Sequence, residues 1–132
     1  MQERVIVDAI VKGLRNLGFT VATEVANFYR SADIAVLDDD GNVSVIECKV
    51  SSMGRAIEQS KTHKLAADKV YIGTFHRNTK ESTLKRIKQA GLGLIYVMPD
   101  GVVCTDVIKP GKGNPWQPAR QRLLKRIMGS QQ

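Results

Sequence analysis

The chain has 132 residues, 42% of them hydrophobic and 25% charged, which excludes general disorder and allows one compact domain with one ordinary core. Its net charge of +7 is unevenly placed: residues 53–132 hold 15 of the 20 basic residues and 5 of the 13 acids, with no acid after residue 108. A basic surface of this kind suits a polyanion, most simply nucleic acid; the plain alternative is a charge excess that serves solubility.

No apolar run is long enough to span a membrane and the N-terminus lacks a signal-peptide pattern, so a soluble cytoplasmic protein without membrane association is expected. Cys48 and Cys104 each sit in an apolar run with no disulfide framework around them, and free thiols in a reducing compartment are the expectation.

In chain order, "ERVIVDAIVKGLRNLGF" predicts an amphipathic helix, with Ile6, Ile10, Leu14 and Leu17 at helical spacing and Gly18 as its stop. "FTVATEV" reads as a strand, and "SADIAVLDDDGNVSVIECKV" as two strands about a tight turn at Asp40-Gly41. The acid run 38–40 is no calcium loop, because the sixth and twelfth positions that should be Gly and Glu are Val43 and Lys49. "MGRAIEQSKTHKLAA" follows as a helix that Ser51-Ser52 can cap, then the strand "KVYIGTF". Asn78 or Thr79 is expected to open the next helix, "KESTLKRIKQA", ended by Gly91. "GLIYVM" and "GVVCTDV" flank a hairpin turn at Pro99-Asp100-Gly101, "KPGKGNPWQP" is a loop, and the last helix covers roughly 118–128. The early hairpins imply antiparallel pairing, and the helix between "VIECKV" and "KVYIGTF" is long enough to be a parallel crossover. The fold class predicted is α/β in three layers, a central mixed β-sheet flanked by helices.

One strand carries charge that a buried strand should not. In "VSVIECKV", Val43, Val45, Glu47 and Lys49 share one face and Ser44, Ile46, Cys48 and Val50 the other. With the turn at 39–41, Asp33 of "RSADIAV" pairs opposite about residue 47, which brings two carboxylates within roughly 5 Å at Cβ. Such a pair repels unless one member is protonated or a cation is present, and oxygen ligands favour Mg²⁺ or Mn²⁺. Lys49 supplies a positive charge beside them, and Glu24, at the end of the preceding strand, is a third acid within reach. Taken alone, Glu47-x-Lys49 would be an ion pair at a sheet rim; the ordered set of acids in a basic chain points further. Two histidines without Cys/His spacing argue against zinc.

The stretch "E24…RSAD33IAVLDDDGNVSVIE47CK49" resembles the signature of the PD-(D/E)xK nuclease superfamily, the restriction-endonuclease-like fold. Gln59, His63 and "AADKVYIGT" are similar to the Q-x-x-x-(Y/H) element and the strand after it, and Ala32 stands where the name's Pro would be. The resemblance implies a single nuclease domain over 1–132, with a core α-β-β-β-α-β at 3–75 and an α-β-β-α extension at 76–132. It implies a metal-dependent DNA endonuclease. Asp33, Glu47 and the backbone carbonyl of Cys48 would hold Mg²⁺ or Mn²⁺, with Glu24, or Glu3 in its place, as a further acid. Lys49 would position or activate the attacking water, and Gln59 and His63 would line the phosphate side.

Arg30 is placed to contact phosphate or pair with an acid. Arg55, Lys61 and Lys64 suit phosphate contacts as well as a solvated surface, and so does the basic face Arg122, Lys125 and Arg126 of the last helix. Trp116 is most simply an anchor for the tail. One catalytic centre per chain predicts a homodimer on DNA, as in the similarly small and basic archaeal Holliday-junction resolvases. The alternative is a non-catalytic nucleic-acid-binding or assembly module that keeps the nuclease fold.

Overall fold

The apolar spacing of the first helix dictates a layer. In α1 (Glu3–Asn16), Ile6, Ile10, Val11 and Leu14 are buried, and Gly18 ends the helix at φ +86°, a conformation that suits glycine. The computed structural model describes residues 2–76 and 79–131. The further elements are β1 (Thr20–Asn27), β2 (Arg30–Leu37), β3 (Val43–Cys48), α2 (Met53–His63), β4 (Lys69–Phe75), α3 (Glu81–Gln89), β5 (Gly93–Val97), β6 (Val103–Ile108) and α4 (Gln117–Gly129).

The six strands form one mixed sheet in sequential order. β1–β2, β2–β3 and β5–β6 are antiparallel, whereas β3–β4 and β4–β5 are parallel, their crossovers carried by α2 and α3. α1 covers one face, where its apolar stripe meets Val21, Ile34, Val36, Ile46 and Cys48. On the other face, Ala56, Ile57, Ile87, Leu123 and Ile127 of α2, α3 and α4 meet Val43, Val45, Val70, Ile72 and Leu94. This is the predicted three-layer α/β arrangement. Each wholly buried isoleucine of these layers contributes about 1.5–3 kcal/mol. The α1 layer lies close: a Cβ added at Gly73 would stand 2.6 Å from Ile10 Cδ1. Both cysteines are free, and no helix among the described residues is long and apolar enough to cross a membrane.

Several boundaries differ from expectation. β1 and β2 each run further than predicted, meeting in a turn at Phe28-Tyr29, two aromatic residues that give no turn signal. α2 stops at His63 rather than near Ala67, because the backbone N–H groups of Ala66 and Ala67 both turn back onto the His63 carbonyl. Ser52 sits at its N-cap but at φ +59° and makes no capping hydrogen bond. α3 begins at Glu81 after Lys80; of its two expected openers, Thr79 precedes the helix and Asn78 lies outside the described residues.

Candidate active site

The turn after β2 sets the register of β3. Asp38 Oδ1 accepts from the N–H groups of Asp40 and Asn42 (both 2.9 Å), and Gly41 takes φ +81°. Pairs then run from Leu37–Val43 to Ile34–Ile46, and the next step sets Asp33 opposite Glu47. On the other side of β2, the pairs Thr23–Ile34 and Val25–Ala32 bracket Glu24 opposite Asp33. Glu24, Asp33 and Glu47 therefore occupy one row across three adjacent strands.

The row is not uniform. Glu47 belongs to a strand in which every residue is buried. Asp33 is half-buried, and its Oδ2 accepts from the Cys48 N–H at 2.8 Å. Glu24 is exposed and left-handed, at φ +50°. The chain changes face there: Ala22 and Val25, which regular alternation would put on opposite sides, both enter the α2-side core. Glu3, in the first turn of α1, adds its charge to the field at Asp33, so the substitute acid considered from the sequence does approach this cluster.

Burial pushes the Asp33 carboxyl up to about 6; the charge of Glu47, a hydrogen bond shared with it and the charge of Glu3 act in the same direction, against the lowering by the Cys48 N–H. The Cys48 thiol lies in the α1 layer and is driven well above its ordinary range, by burial first and then by Asp33, Glu47 and Glu3. It stays a thiol and is a packing group, not a nucleophile.

Lys49 is half-buried, and its N–H donates to the Gly73 carbonyl at 3.0 Å. The ladder thus continues one residue past β3, and alternation brings Lys49 to the Glu47 side. Gln59 is half-buried on α2, one turn before His63. His63 itself departs from expectation. It is 0% exposed rather than lining a phosphate surface. The Asn27 amide donates to its Nδ1 (2.8 Å), and its Nε2 donates to Glu47 Oε1 (2.7 Å). Burial and these two bonds hold it behind the carboxylate.

Asn27 was missed in the sequence. It is one of the few buried polar residues, and its partner is 36 positions away. Its sequence signal is slight, an amide at the inner end of a strand.

The basic residues divide. Arg30 and Arg55 are exposed. Lys61 pairs with Glu58 at 3.0 Å. Lys64, expected at phosphate, donates from Nζ to the Ala90 carbonyl at 2.6 Å and so fastens the end of α3.

Among the described residues, no three His, Cys, Asp or Glu side chains are gathered closely enough to hold a metal ion. What is present is a carboxylate pair in which burial first, and then the charge of Glu47, raises the Asp33 carboxyl. That donor set fits a Mg²⁺-type ion, which binds through one or two carboxylates and retains several waters.

No family model matches the chain, and no curated protein matches it. Among solved structures, a protein of unknown function from Silicibacter pomeroyi superposes with a TM-score of 0.71 at 17% identity, over 98% of this chain and 86% of that one. A repair endonuclease from Pyrococcus abyssi superposes with a TM-score of 0.61 at 20% identity, over 75% of this chain; the match spans 48% of the endonuclease's length. At these identities the likeness is one of fold, over most of this chain in each case.

Proposed function

We propose that the chain is a metal-dependent endonuclease that hydrolyses phosphodiester bonds of DNA, acting on branched or damaged structures in repair or recombination. The observation that carries this reading is the side-by-side placement of Asp33 and Glu47 at the end of β3, with Lys49 two residues on. The fold likeness to a repair endonuclease supports it, as does the basic second half of the chain.

In this reading Asp33, Glu47 and the Cys48 carbonyl hold Mg²⁺ or Mn²⁺, with Glu24 or Glu3 as the further acid. The ion, when bound, lowers the pKa of a coordinated water and draws charge from the phosphoryl oxygens. Asp33 takes up the ion in its ionised form, and the Cys48 N–H fixes the orientation of its carboxylate. His63 and Asn27 hold Glu47 from behind. Lys49 positions the attacking water and stabilises charge growing on the phosphoryl group, and Gln59 faces the same side. Arg30 and Arg55 take flanking phosphates. One centre per chain makes a homodimer the natural unit for cutting both strands, and free thiols suit the cytoplasm.

A second reading, a nucleic-acid-binding or assembly module without catalysis, is favoured by the absence of a third close side-chain ligand among the described residues. Plasmid, flap and four-way-junction DNA incubated with the protein and Mg²⁺ or Mn²⁺ separates the two. Cleavage that Asp33→Ala or Lys49→Ala abolishes supports the nuclease. Substrates that are bound at low salt but left intact support the module.

A further inference from the structure

The tip of the β1–β2 hairpin breaks the rules that its surroundings obey. A two-residue hairpin turn calls for Asn, Asp or Gly. Here Phe28 and Tyr29 stand between the paired residues Asn27 and Arg30. Phe28 is held at φ +59°, where a bulky side chain is strained. Tyr29 is 102% exposed and Phe28 39%, and neither ring joins the core on either face of the sheet. Tyr29 in particular is left fully to solvent, and backbone strain of this kind clusters at binding and switch segments.

Beside the rings opens a cleft of about 330 Å³, lined by Asn27, Phe28, Tyr29, Ala119, Arg122 and Arg126. Its far wall is α4. Arg126 Nη1 donates to the Ala26 carbonyl at 2.9 Å and ties the helix to the hairpin. The Arg122 guanidinium lies 5.7 Å from the ring centre of Trp116, which is 58% exposed. Arg30 follows directly in the hairpin, and no acid lies beyond Asp106 in the chain. The cleft is thus an aromatic platform set against a cationic wall. It is also joined to the acid row, because Asn27 at its floor is the residue bonded to His63 behind Glu47. From Arg30 to Asp33 is three residues of strand, roughly 10 Å.

We propose that this cleft binds an unpaired nucleotide of a DNA strand, its base stacked on Phe28 and Tyr29 and its flanking phosphates on Arg122 and Arg30. A π face accepts any base, and arginine takes the phosphate. The volume is at the low end of ligand sites, about 300–1,000 Å³, and suits one base. A duplex keeps its bases stacked and offers the cleft only phosphates, so single-stranded or branched DNA is preferred. The proposal deepens the nuclease reading and rests on it for its placement beside the acids.

The test is binding without metal, in EDTA, so that no cleavage is needed. Fluorescence anisotropy would compare a labelled oligothymidylate with a labelled duplex on the wild type, on the Phe28→Gly/Tyr29→Ala double variant and on Arg122→Gln. Thermal melting checks that the double variant folds; Phe28→Gly relieves the strained backbone and should not lower the midpoint. The double variant should bind the single strand about 10–100-fold more weakly and the duplex less than about threefold more weakly, with its salt slope unchanged. Arg122→Gln should weaken both and reduce the salt slope by about 1. Unchanged single-strand affinity in the double variant, or an equal loss on both DNAs, would overturn the proposal. The nuclease reading fails separately: single-strand preference that depends on the rings, without cleavage in Mg²⁺ or Mn²⁺, leaves this site standing and removes the catalysis. Cleavage by a protein whose binding ignores the rings does the reverse.

Discussion

At one end of β2 the chain turns through Asp38, and at the other Asp33 faces Glu47. The Asp38 end is built from turn residues that satisfy one another: the Asp38 carboxylate accepts two backbone N–H groups, Gly41 takes the left-handed position, and Asp38 and Asn42 close the ladder. Nearby, Asp68 accepts from the Val43 N–H at 2.7 Å and pairs with Arg120 at 3.0 Å, which in turn donates to the Gly41 carbonyl. The Asp38 and Asp68 carboxylates and the Arg120 guanidinium there all have partners that stabilise the fold. The Asp33 end gathers like charges, takes Glu24 and Phe28 into left-handed backbone and exposes two aromatic rings. The two aspartates, five residues apart, thus serve different ends: Asp38 holds a turn, and Asp33 carries a cost that protonation or a cation would relieve.

The sharpest way to break this contrast is to truncate each aspartate. Asp33→Ala should lower DNA cleavage by about 10³-fold while the protein stays folded. Asp38→Ala should leave cleavage within a factor of a few and cost about 1 kcal/mol of stability, from the lost turn hydrogen bonds. Parallel cleavage assays and urea melts read both, and equal effects of the two substitutions on cleavage would erase the distinction.

Asn27→Ala comes next. It leaves His63 Nδ1 buried without its partner and should cost about 1–3 kcal/mol in denaturant unfolding. Asn27→Ala that unfolds like the wild type would show that the Asn27–His63–Glu47 chain is not a real support.

The third test is pH. Asp33 has a folded pKa of about 6 against 3.8 unfolded, so the native state binds the proton more tightly. Its contribution is therefore fully present below about pH 4, declines as pH rises from about 4 to 6, and is lost above that. Asp33→Asn, which can still accept from the Cys48 N–H, should remove this decline and make the metal-free protein more stable near pH 7, by on the order of 1 kcal/mol after discounting for solvent screening. Melting midpoints of the two proteins in EDTA between pH 4 and 8 should diverge as pH rises; parallel curves would show that burial and its charged neighbours do not raise the Asp33 carboxyl. The smallest effect expected is a gain of about 0.5–1 kcal/mol from Phe28→Gly, as left-handed strain is relieved. A loss of stability would mean that Phe28 packs usefully.

The legibility of the sequence tracks the same divide. The Asp38 turn is written in turn residues, and strand alternation then places Glu47 opposite Asp33 without any knowledge of the tertiary fold. The order of all ten elements was readable because each helix and strand has its own apolar period. The Phe28-Tyr29 turn was not readable, since neither residue favours a turn, and so the ends of β1 and β2 were drawn short. The place of His63 behind Glu47 was hidden as well. An i, i+4 pair with Gln59 looks like a surface face until the tilt of α2 and the reach of Asn27 are known. Lys64 looked free for phosphate because its acceptor, a helix-end carbonyl, is 26 residues away.

The central claim is that Asp33 and Glu47 share one divalent ion. Calorimetric titration of Mn²⁺ into the DNA-free protein tests it most directly, with Asp33→Asn and Glu47→Gln in parallel. The account predicts saturable binding in the wild type that either substitution abolishes. Binding that survives both, or no binding in the wild type, would contradict it.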